Sequence, residues 1–560
     1  MARRQTIGGL RTDLAIVLRD VGSLVLMESG LITLSATLAL AFGEWYVALA
    51  FLTAGGITAA AGAFVHRRFD AAPAPRIKHG MVIAAGGWFS VAVFGALPFL
   101  LSAYFVPPDV MATYVPATGT EGWEPIRVGS STTLSSLAYF RSPLHALFES
   151  MSGWTGSGLT MAVHEPSLPR TVQWWRSLMQ WVGGVGVIVL TVSILARPGS
   201  GSYALYRSET REEKIHPSVV STVRTVWKIF LLYTVLSVFV LFLALLFSPS
   251  AYAGSLAPGE AFWQALNHAM TALSTGGFSV TDGSIGTYNS PLVETLLLPI
   301  MTLGAIAFPI HYGVLRNRDF GVLVSDLQTR WLFVLFAVGS TLLALQLGFT
   351  VGPAGFGEVV AVSSLGLSTG QVDAVRDAVF QFVSALSCTG FQSSPIGEWA
   401  DGGKLLLSGA MVLGGAAGST VGGIKIIRGY TVARGIGWQF SRVFLPASAI
   451  VTTRIGDRTL RREEMEREFS EAAIVSLLWV LLLVASSLLL VNVVPAEFGY
   501  ADALFEVASA QGNVGLSTGI TGPTMHPVAE GMFVLNMWVG RLEIIPILVF
   551  ARSVLYGFDP

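Results

Sequence analysis

Charge is scarce in this chain. Of its 560 residues only 12% are charged, while 52% are hydrophobic, and the mean hydropathy is +0.63. Soluble domains carry about 25% charged residues. The shortfall excludes that class and places the chain in a bilayer, with apolar runs longer than the roughly 18 residues that mark a span. Cysteine is scarcer still. Cys388 stands alone, so no intrachain disulfide can form, and its apolar surroundings read as those of a packed small residue.

Several kinds of chemistry are also missing. There are no paired carboxylates, no metal-ligand spacing among His145, His268 and His526, and no recurring Ser/His constellation. A membrane enzyme would need such a cluster at one depth, so enzymatic function is not expected. No glycine-rich phosphate loop stands between a strand and a helix, so any nucleotide sensing must lie in another chain. No organic cofactor is expected here, and nucleic acid is not an expected partner. Met1-Ala-Arg-Arg is basic, but no small-residue cleavage site follows a short apolar core. The first apolar stretch is therefore expected to be retained.

What the chain does have is one short stretch written four times. It reads Ser152-Gly-Trp-Thr-Gly-Ser-Gly158-Leu159, Thr271-Ala-Leu-Ser-Thr-Gly-Gly277-Phe278, Ser384-Ala-Leu-Ser-Cys-Thr-Gly390-Phe391 and Ser509-Ala-Gln-Gly-Asn-Val-Gly515-Leu516. The last glycines are 119, 113 and 125 residues apart. Such periodicity marks a repeat architecture. Each copy lies between two apolar spans. Two further spans, near 22–42 and 45–65, precede the repeats. The repeat spans fall near 81–104 and 174–196, 228–248 and 291–315, 331–350 and 403–427, and 472–494 and 530–555. That makes about ten spans.

The segments before each motif, such as Pro143-Leu-His-Ala-Leu-Phe-Glu-Ser, run to only about 10–14 residues, a length that suits re-entrant helices. Irregular backbone at membrane depth survives only where it is buried or lines a wet path, so a glycine stretch after a half-helix implies a pore. With the N-terminus inside, only Arg127, Arg141, Arg170, Arg176, Arg376 and Lys404 of the 34 Lys and Arg residues lie outside, and Arg541 lies within the last span. That bias sets the topology and turns all four glycine motifs outward. Two spans per unit make the repeats parallel. The expected fold is an all-α integral membrane protein: four parallel M1–pore helix–M2 repeats around a pseudo-fourfold pore, plus two extra N-terminal transmembrane helices. Its parts are a two-helix region at 1–79, repeats at 80–200, 201–318 and 319–430, and a cytoplasmic segment with the fourth repeat at 431–560. The long outer loop 105–142 reads as an irregular cap. The inner segment 428–470 reads as a solvated helix or hairpin, or as a docking surface for a soluble regulator.

A dehydrated alkali cation needs oxygen ligands, and backbone carbonyls supply them when glycine lets the chain aim them at one axis. The candidate ligand loops are Thr155, Gly156, Ser157 and Gly158; Ser274, Thr275, Gly276 and Gly277; Ser387, Cys388, Thr389 and Gly390; and Gly512, Asn513, Val514 and Gly515. Helix-packing glycines are the alternative. Five glycines from Gly414 to Gly423 cannot hold a helix, since each costs roughly 1 kcal/mol against Ala. That stretch, with Gly415, Gly418, Ser419, Thr420 and Gly422, breaks the third repeat's second span below the motif. Lys425 ends it, either snorkelling to the inner interface or touching the break. Arg541 is a charge deep in an apolar span and so a candidate functional residue, or else the partner of Glu506 or Glu149. Glu543, two residues on, points elsewhere on the helix. Glu28 in the first span reads as an interhelical hydrogen-bonder or a transport group. Glu149 and Glu506, three residues before their motif serines, either add negative potential or pair locally.

The fourfold plan, Gln180-Trp-Val-Gly-Gly-Val-Gly, Gly414-Gly-Ala-Ala-Gly-Ser-Thr-Val-Gly-Gly-Ile-Lys and Gly540-Arg-Leu-Glu resemble the Trk/Ktr/HKT superfamily of potassium transporters over residues 80 to 555. The two N-terminal spans are similar to the TrkH branch. Gly512-Asn-Val-Gly-Leu-Ser-Thr-Gly is closer to the Ktr branch, though Asn513 replaces the usual Thr. The resemblance implies potassium as the transported ion, since all four last positions are glycine. It also implies an intramembrane gate loop at 414–423 with Arg541 in the ion barrier, a homodimer with one pore per protomer, and a cytoplasmic nucleotide-binding regulatory ring of the TrkA/KtrA kind. The location implied is a plasma membrane of the bacterial inner-membrane type. Coupling of potassium to protons or sodium is the alternative to uniport.

Overall fold

The computed structural model describes residues 2–195, 219–350, 361–362, 367–444, 453–456 and 458–558. Helices dominate, as the apolar runs predict. Helices α1 (Ala2–Ala41) and α2 (Trp45–Arg68) form an antiparallel hairpin that packs on α3 (Ile77–Gly95) and α4 (Leu97–Phe105). Glycines make that hairpin tight. A Cβ on Gly62 would lie 2.7 Å from the Leu26 backbone, and one on Gly22 would lie 2.8 Å from the His66 nitrogen.

The remainder repeats a unit of long helix, short helix, glycine loop and second long helix. The short helices are α5 (Pro143–Thr155), α8 (Pro258–Leu273), α12 (Thr369–Leu386) and α16 (Tyr500–Gly512). They have 13, 16, 18 and 13 residues, so two exceed the expected length. Their starts are fixed locally. Pro143 and Pro258 stand in first turns, where a missing N–H costs nothing, and Ser142 Oγ accepts from His145 N at 3.4 Å. Asp502 Oδ2 accepts from Gly499 N at 2.9 Å.

The flanking helices are α6 (Arg170–Leu195), α7 (Val219–Phe247), α9 (Pro291–Ala305) with α10 (Phe308–Asn317), and α11 (Leu327–Thr350). They continue as α13 (Asp401–Val412) with α14 (Ile426–Val443), α15 (Arg462–Val491), and α17 (Pro527–Arg541) with α18 (Ile545–Tyr556). The second long helix of each repeat packs on the short helix of the next: α6 on α8, α9 on α12, α13 on α16, and α17 back on α5. The chain of contacts closes on itself, which is what four units around one axis require.

Six described helices are long and apolar enough to cross a membrane, or eight if each bent pair is one span. The bent pairs correct the sequence reading of straight spans at 291–315 and 530–555. The axes of α9 and α10 meet at 106°, and those of α17 and α18 at 112°. Pro309 and Pro546 sit just past these breaks, where proline starts a new helix and does not continue the old one. The expected break in the third repeat is present, since α13 stops at Val412.

Segment 105–142 carries a one-turn helix, a hairpin of β1 (Ile126–Val128) and β2 (Ser131–Thr133), and a 3-10 turn at Ser136–Arg141. Trp123 from this cap stacks on His164 at 3.8 Å between ring centroids, and His164 Nδ1 meets Asp282 Oδ1 at 2.8 Å. The pair β3 (Ala361–Val362) and β4 (Leu367–Ser368) precedes α12. Segment 428–470 holds both a helix and a hairpin, β5 (Thr453–Ile455) against β6 (Arg458–Leu460). Its stretch 445–452 lies outside the described residues.

Candidate functional site

All four glycine loops leave their short helix in the same way. Ser157 N donates to Ser152 O at 2.9 Å, Gly276 N to Thr271 O at 2.8 Å, Thr389 N to Ser384 O at 2.9 Å and Val514 N to Ser509 O at 2.9 Å. Gly156, Thr275, Cys388 and Asn513 each take left-handed φ, at 68°, 53°, 52° and 55°; two residues later so do Gly158, Gly277, Gly390 and Gly515, at 77°, 76°, 81° and 106°. A left-handed residue closes a helix C-terminus and redirects the chain. Threonine, cysteine and asparagine pay for that geometry in strain, and each is buried and held by its surroundings. Thr275 Oγ1 meets Thr420 Oγ1 at 2.9 Å, and Asn513 Nδ2 donates to Ser157 Oγ at 2.7 Å and to Met537 O at 3.0 Å.

The final glycines interlock. A Cβ on Gly158 would strike the Gly276 carbonyl oxygen, one on Gly277 that of Thr389, and one on Gly390 that of Val514. One on Gly515 would lie 2.7 Å from that of Ser157, closing the ring. Each glycine therefore abuts the residue before the matching glycine in the next repeat. Any side chain would push the loops apart. Helix-packing glycines have no reason to meet in this cyclic order, so that alternative is set aside. Gln180 adds a clamp, donating from Nε2 to Gly276 O at 2.6 Å and accepting from Phe278 N at 3.0 Å.

Among the described residues, no hydrogen bond is donated to the carbonyls of Gly156, Gly158, Thr275, Gly277, Cys388, Gly390, Asn513 or Gly515. Carbonyls without a protein donor are open to another ligand. A dehydrated cation is a suitable ligand for them. The other candidate loop residues, Thr155, Ser274, Ser387 and Gly512, sit at the helix ends behind these turns. Thr155 Oγ1 meets Ser157 Oγ at 2.9 Å, and Ser387 Oγ meets Thr389 Oγ1 at 2.8 Å.

The loop from Leu413 to Lys425 folds beneath two of these turns. Gly414 N donates to Ile424 O at 2.8 Å, closing the loop at its neck. Thr420 N and Oγ1 both donate to Gly304 O, at 3.2 and 3.0 Å. Phe308 N donates to Gly418 O at 3.1 Å, and Ala417 N donates to Gln328 Oε1 at 2.7 Å. The loop thereby fills the break between α9 and α10. Gly422 lies against repeat 4, where a Cβ would strike Gly512 O and sit 2.9 Å from Asn513 Cβ. Ser419 Oγ and Gly423 stay within the loop's own turns, while a Cβ on Gly415 would lie 2.9 Å from Ala305 O.

Arg541 ends α17 and reaches the same place. Its Nη1 donates to Thr420 O at 2.6 Å and its Nη2 to Gly183 O and Gly184 O at 3.1 and 3.4 Å. A Cβ on Gly156 would lie 4.0 Å from Nη1. No carboxylate pairs with it among the described residues, which overturns the suggested partners Glu149 and Glu506. Glu543 does not sit on a continuing helix; it occupies the break with φ of 56°. Its carboxylate holds Arg428 at 2.7 Å and Lys425 at 3.6 Å. Lys425 Nζ also donates to Gly422 O at 3.4 Å, so it turns into the loop and does not extend to an interface.

Sequence reasoning paired Glu149 with Glu506 but missed their counterparts. The same register, nine residues before the final glycine, holds His268 and Gln381. All four bond the chain as it leaves its glycine. Glu149 accepts from Thr160 Oγ1 and Met161 N, at 2.9 and 2.8 Å. His268 Nε2 meets Ser279 Oγ at 2.9 Å, and Gln381 Nε2 donates to Ser393 Oγ at 3.1 Å. Glu506 accepts from Ser517 Oγ and Thr518 N, at 2.6 and 2.7 Å. Counting from each glycine would have found them. Glu28 is buried in α1 with Trp154 of α5 as its hydrogen-bonding neighbour, the interhelical contact expected of it.

Comparison with known proteins agrees with this architecture. A family model described as cation transport protein matches residues 79–556. An uncharacterized cation transporter of Methanocaldococcus jannaschii is 29% identical over 494 residues, covering 88% of this chain and 86% of its own. The Trk system potassium uptake protein TrkH of Escherichia coli is 30% identical, covering 72% and 77%. The crystal structure of the potassium transporter TrkH from Vibrio parahaemolyticus superposes with a TM-score of 0.74 over 97% of this chain and 99% of that one, at 22% identity. The chain belongs to the TrkH family of cation transport proteins and is a transporter, not an enzyme.

Proposed function

We propose that this chain carries potassium into the cell by channel-like uniport through a filter made of its four glycine loops. The observation that carries the reading is the cyclic interlock of Gly158, Gly277, Gly390 and Gly515, with eight unbonded carbonyls at its turns. The four short helices end at these loops, and the negative ends of their dipoles favour a cation there. Potassium in particular is supported by the names of the relatives in Escherichia coli and Halomonas elongata, both potassium uptake proteins. The domain scheme is the two-helix region 1–79, then pore repeats 80–200, 201–318 and 319–430, then the cytoplasmic segment and repeat in 431–560.

The loop 414–423 with Lys425 and Arg541 serves as the gate. A guanidinium below the filter repels cations, and its bond to Thr420 O ties that repulsion to the loop's position. The protein works in the plasma membrane as a multi-pass homodimer with a cytoplasmic N-terminus. A nucleotide-binding ring engages its inner face, where β5, β6 and the start of α15 present Arg454, Arg458, Arg461 and Arg462. Co-purification with such a ring tests the last statement; conductance indifferent to the ring and its nucleotides counts against it.

One observation favours coupled symport instead: a carboxylate, Glu28, buried within the first span. Potassium and sodium flux into proteoliposomes decides between the two, with an imposed proton gradient on or off and Gly515→Ser beside the parent. Selective potassium flux that the substitution degrades and the gradient leaves alone supports the uniport filter. Flux that needs the gradient supports symport, and unchanged selectivity in Gly515→Ser removes the filter.

A further inference from the structure

The ring of Glu149, His268, Gln381 and Glu506 is alike in position but unlike in charge. In every repeat this side chain spans from the short helix to the second or third residue after the filter glycine, so it fixes the height at which that glycine sits. In repeat 1 the carboxylate is neutralised, because Arg176 Nε donates to Glu149 Oε1 at 2.7 Å and both residues are buried. Repeats 2 and 3 place an imidazole and an amide there. In repeat 4 no cation lies within ion-pair distance of Glu506 among the described residues. Its two oxygens take only donors: Ser517 Oγ, Thr518 N and Oγ1, and Ile520 N on Oε1, and Thr521 Oγ1 on Oε2 at 2.7 Å. These hydrogen bonds favour the charged form of the carboxyl group and oppose the cost of burying it. Thr518 N and Ile520 N can only donate, so Oε1 keeps its lone pairs for them, while the three hydroxyls also accept.

Resting on the filter reading above, we propose that Glu506 is a specificity-determining residue of the filter. It is a positioning residue for the repeat 4 return loop, and it is also the one uncompensated negative charge of the ring, lowering the electrostatic energy of a cation held by the four loops. The filter is therefore electrostatically lopsided: its fourfold geometry is maintained by four clamps, and its charge is delivered from one side.

Charge and geometry can be separated by ion valence. Removing a potential weakens a divalent cation by the square of the factor for a monovalent one, because the Coulomb term scales with charge. A change in loop height obeys no such rule. The probes are potassium, read as the concentration giving half-maximal flux, and barium, a divalent blocker of similar radius, read as its half-blocking concentration. Both are measured on the full-length protein in proteoliposomes. For Glu506→Gln, potassium half-saturation is expected to rise on the order of threefold and barium half-block on the order of tenfold, the square law for a modest lost potential. Gln381→Glu makes the reverse exchange at the same register and should shift both values downward, again with the larger shift for barium. It carries the test if Glu506→Gln does not assemble. Equal shifts for the two ions, or none, would overturn the proposal. Failure of the underlying filter reading looks different: the parent protein itself would fail to prefer potassium over sodium, and Gly515→Ser would conduct as it does.

Discussion

Arg541 and Thr420 stand 121 residues apart, and the guanidinium of one donates to the backbone carbonyl of the other at 2.6 Å. The contact joins the second long helix of repeat 4 to the irregular loop of repeat 3. It is a charged donor on a neutral acceptor, and no carboxylate compensates it among the described residues. A buried cation held only by carbonyls is costly, which fits the proposed barrier to ions better than a role in stability.

On the proposed gate, replacing this side chain should raise resting flux without unfolding the protein. Arg541→Met keeps the length and removes the charge. Resting potassium flux into proteoliposomes is expected to rise several-fold, and the thermal midpoint to stay level or rise, as when well-packed apolar groups replace buried charge. A variant that melts early and conducts less would assign Arg541 to structural support.

Two glycines in α17 offer an internal control. Gly531 has open space where a Cβ would be, while a Cβ on Gly540 would strike Gln511 O at the end of α16. Gly531→Ala should be neutral or stabilise by up to about 1 kcal/mol, the helix-propensity gain. Gly540→Ala should cost about 1–3 kcal/mol through overpacking against backbone that cannot move aside. Chemical or thermal unfolding in detergent compares them; equal effects would mean that α17 and α16 do not meet this closely.

Lys404 and Asp502 tie repeat 3 to the short helix of repeat 4 at 2.6 Å, with both side chains nearly buried. Breaking the pair from one side leaves a stranded charge. Lys404→Met alone is expected to destabilise by about 3 kcal/mol, and Lys404→Met with Asp502→Asn to recover most of the loss. Asparagine retains the oxygen that caps Gly499 N. A double variant no better than the single one would show that the interaction is not a coupled pair.

The repeats, the extra N-terminal hairpin and the glycine loops were legible in the sequence because each has a local cause. Apolar length makes a span, and a glycine that must sit against a neighbouring carbonyl tolerates no substitute. The breaks between α9 and α10 and between α17 and α18 were harder to see. Pro309 and Pro546 mark them, and at the second the charges Arg541 and Glu543 stand on either side of Leu542. Missing the second break misplaced Glu543, whose pairing with Arg428 depends on a left-handed residue and not on helical phase. Glu149 and Arg176 are 27 residues apart and meet only through tertiary packing. The register shared by Glu149, His268, Gln381 and Glu506 was visible in principle, but the four side chains differ in chemistry, and only their common bond to the return loop reveals one role.

The last prediction concerns acidity in the turn that follows the first glycine loop. Glu165 lies in the turn before α6, outside the spans, with one oxygen 4.0 Å from Arg176 and the other unpartnered among the described residues. Burial pushes its carboxyl from the ordinary 4.5 up to about 8, outweighing the pull of Arg176, with Asp282 and Glu149 adding to the rise. The folded protein then holds a proton that the unfolded chain has released, so stability declines as pH rises from about 4.5 to about 8 and is fully reduced only above the folded value. Glu165→Gln mimics the protonated group at every pH. It should match the parent near pH 5 and exceed it near pH 8.5 by on the order of 2 kcal/mol, since each pKa unit is about 1.4 kcal/mol and part of the shift is relieved by relaxation. Thermal midpoints measured across that range check the sign directly. A parent protein that grows more stable with rising pH, with Glu165→Gln flat beneath it, would mean that Arg176 holds the group ionised throughout.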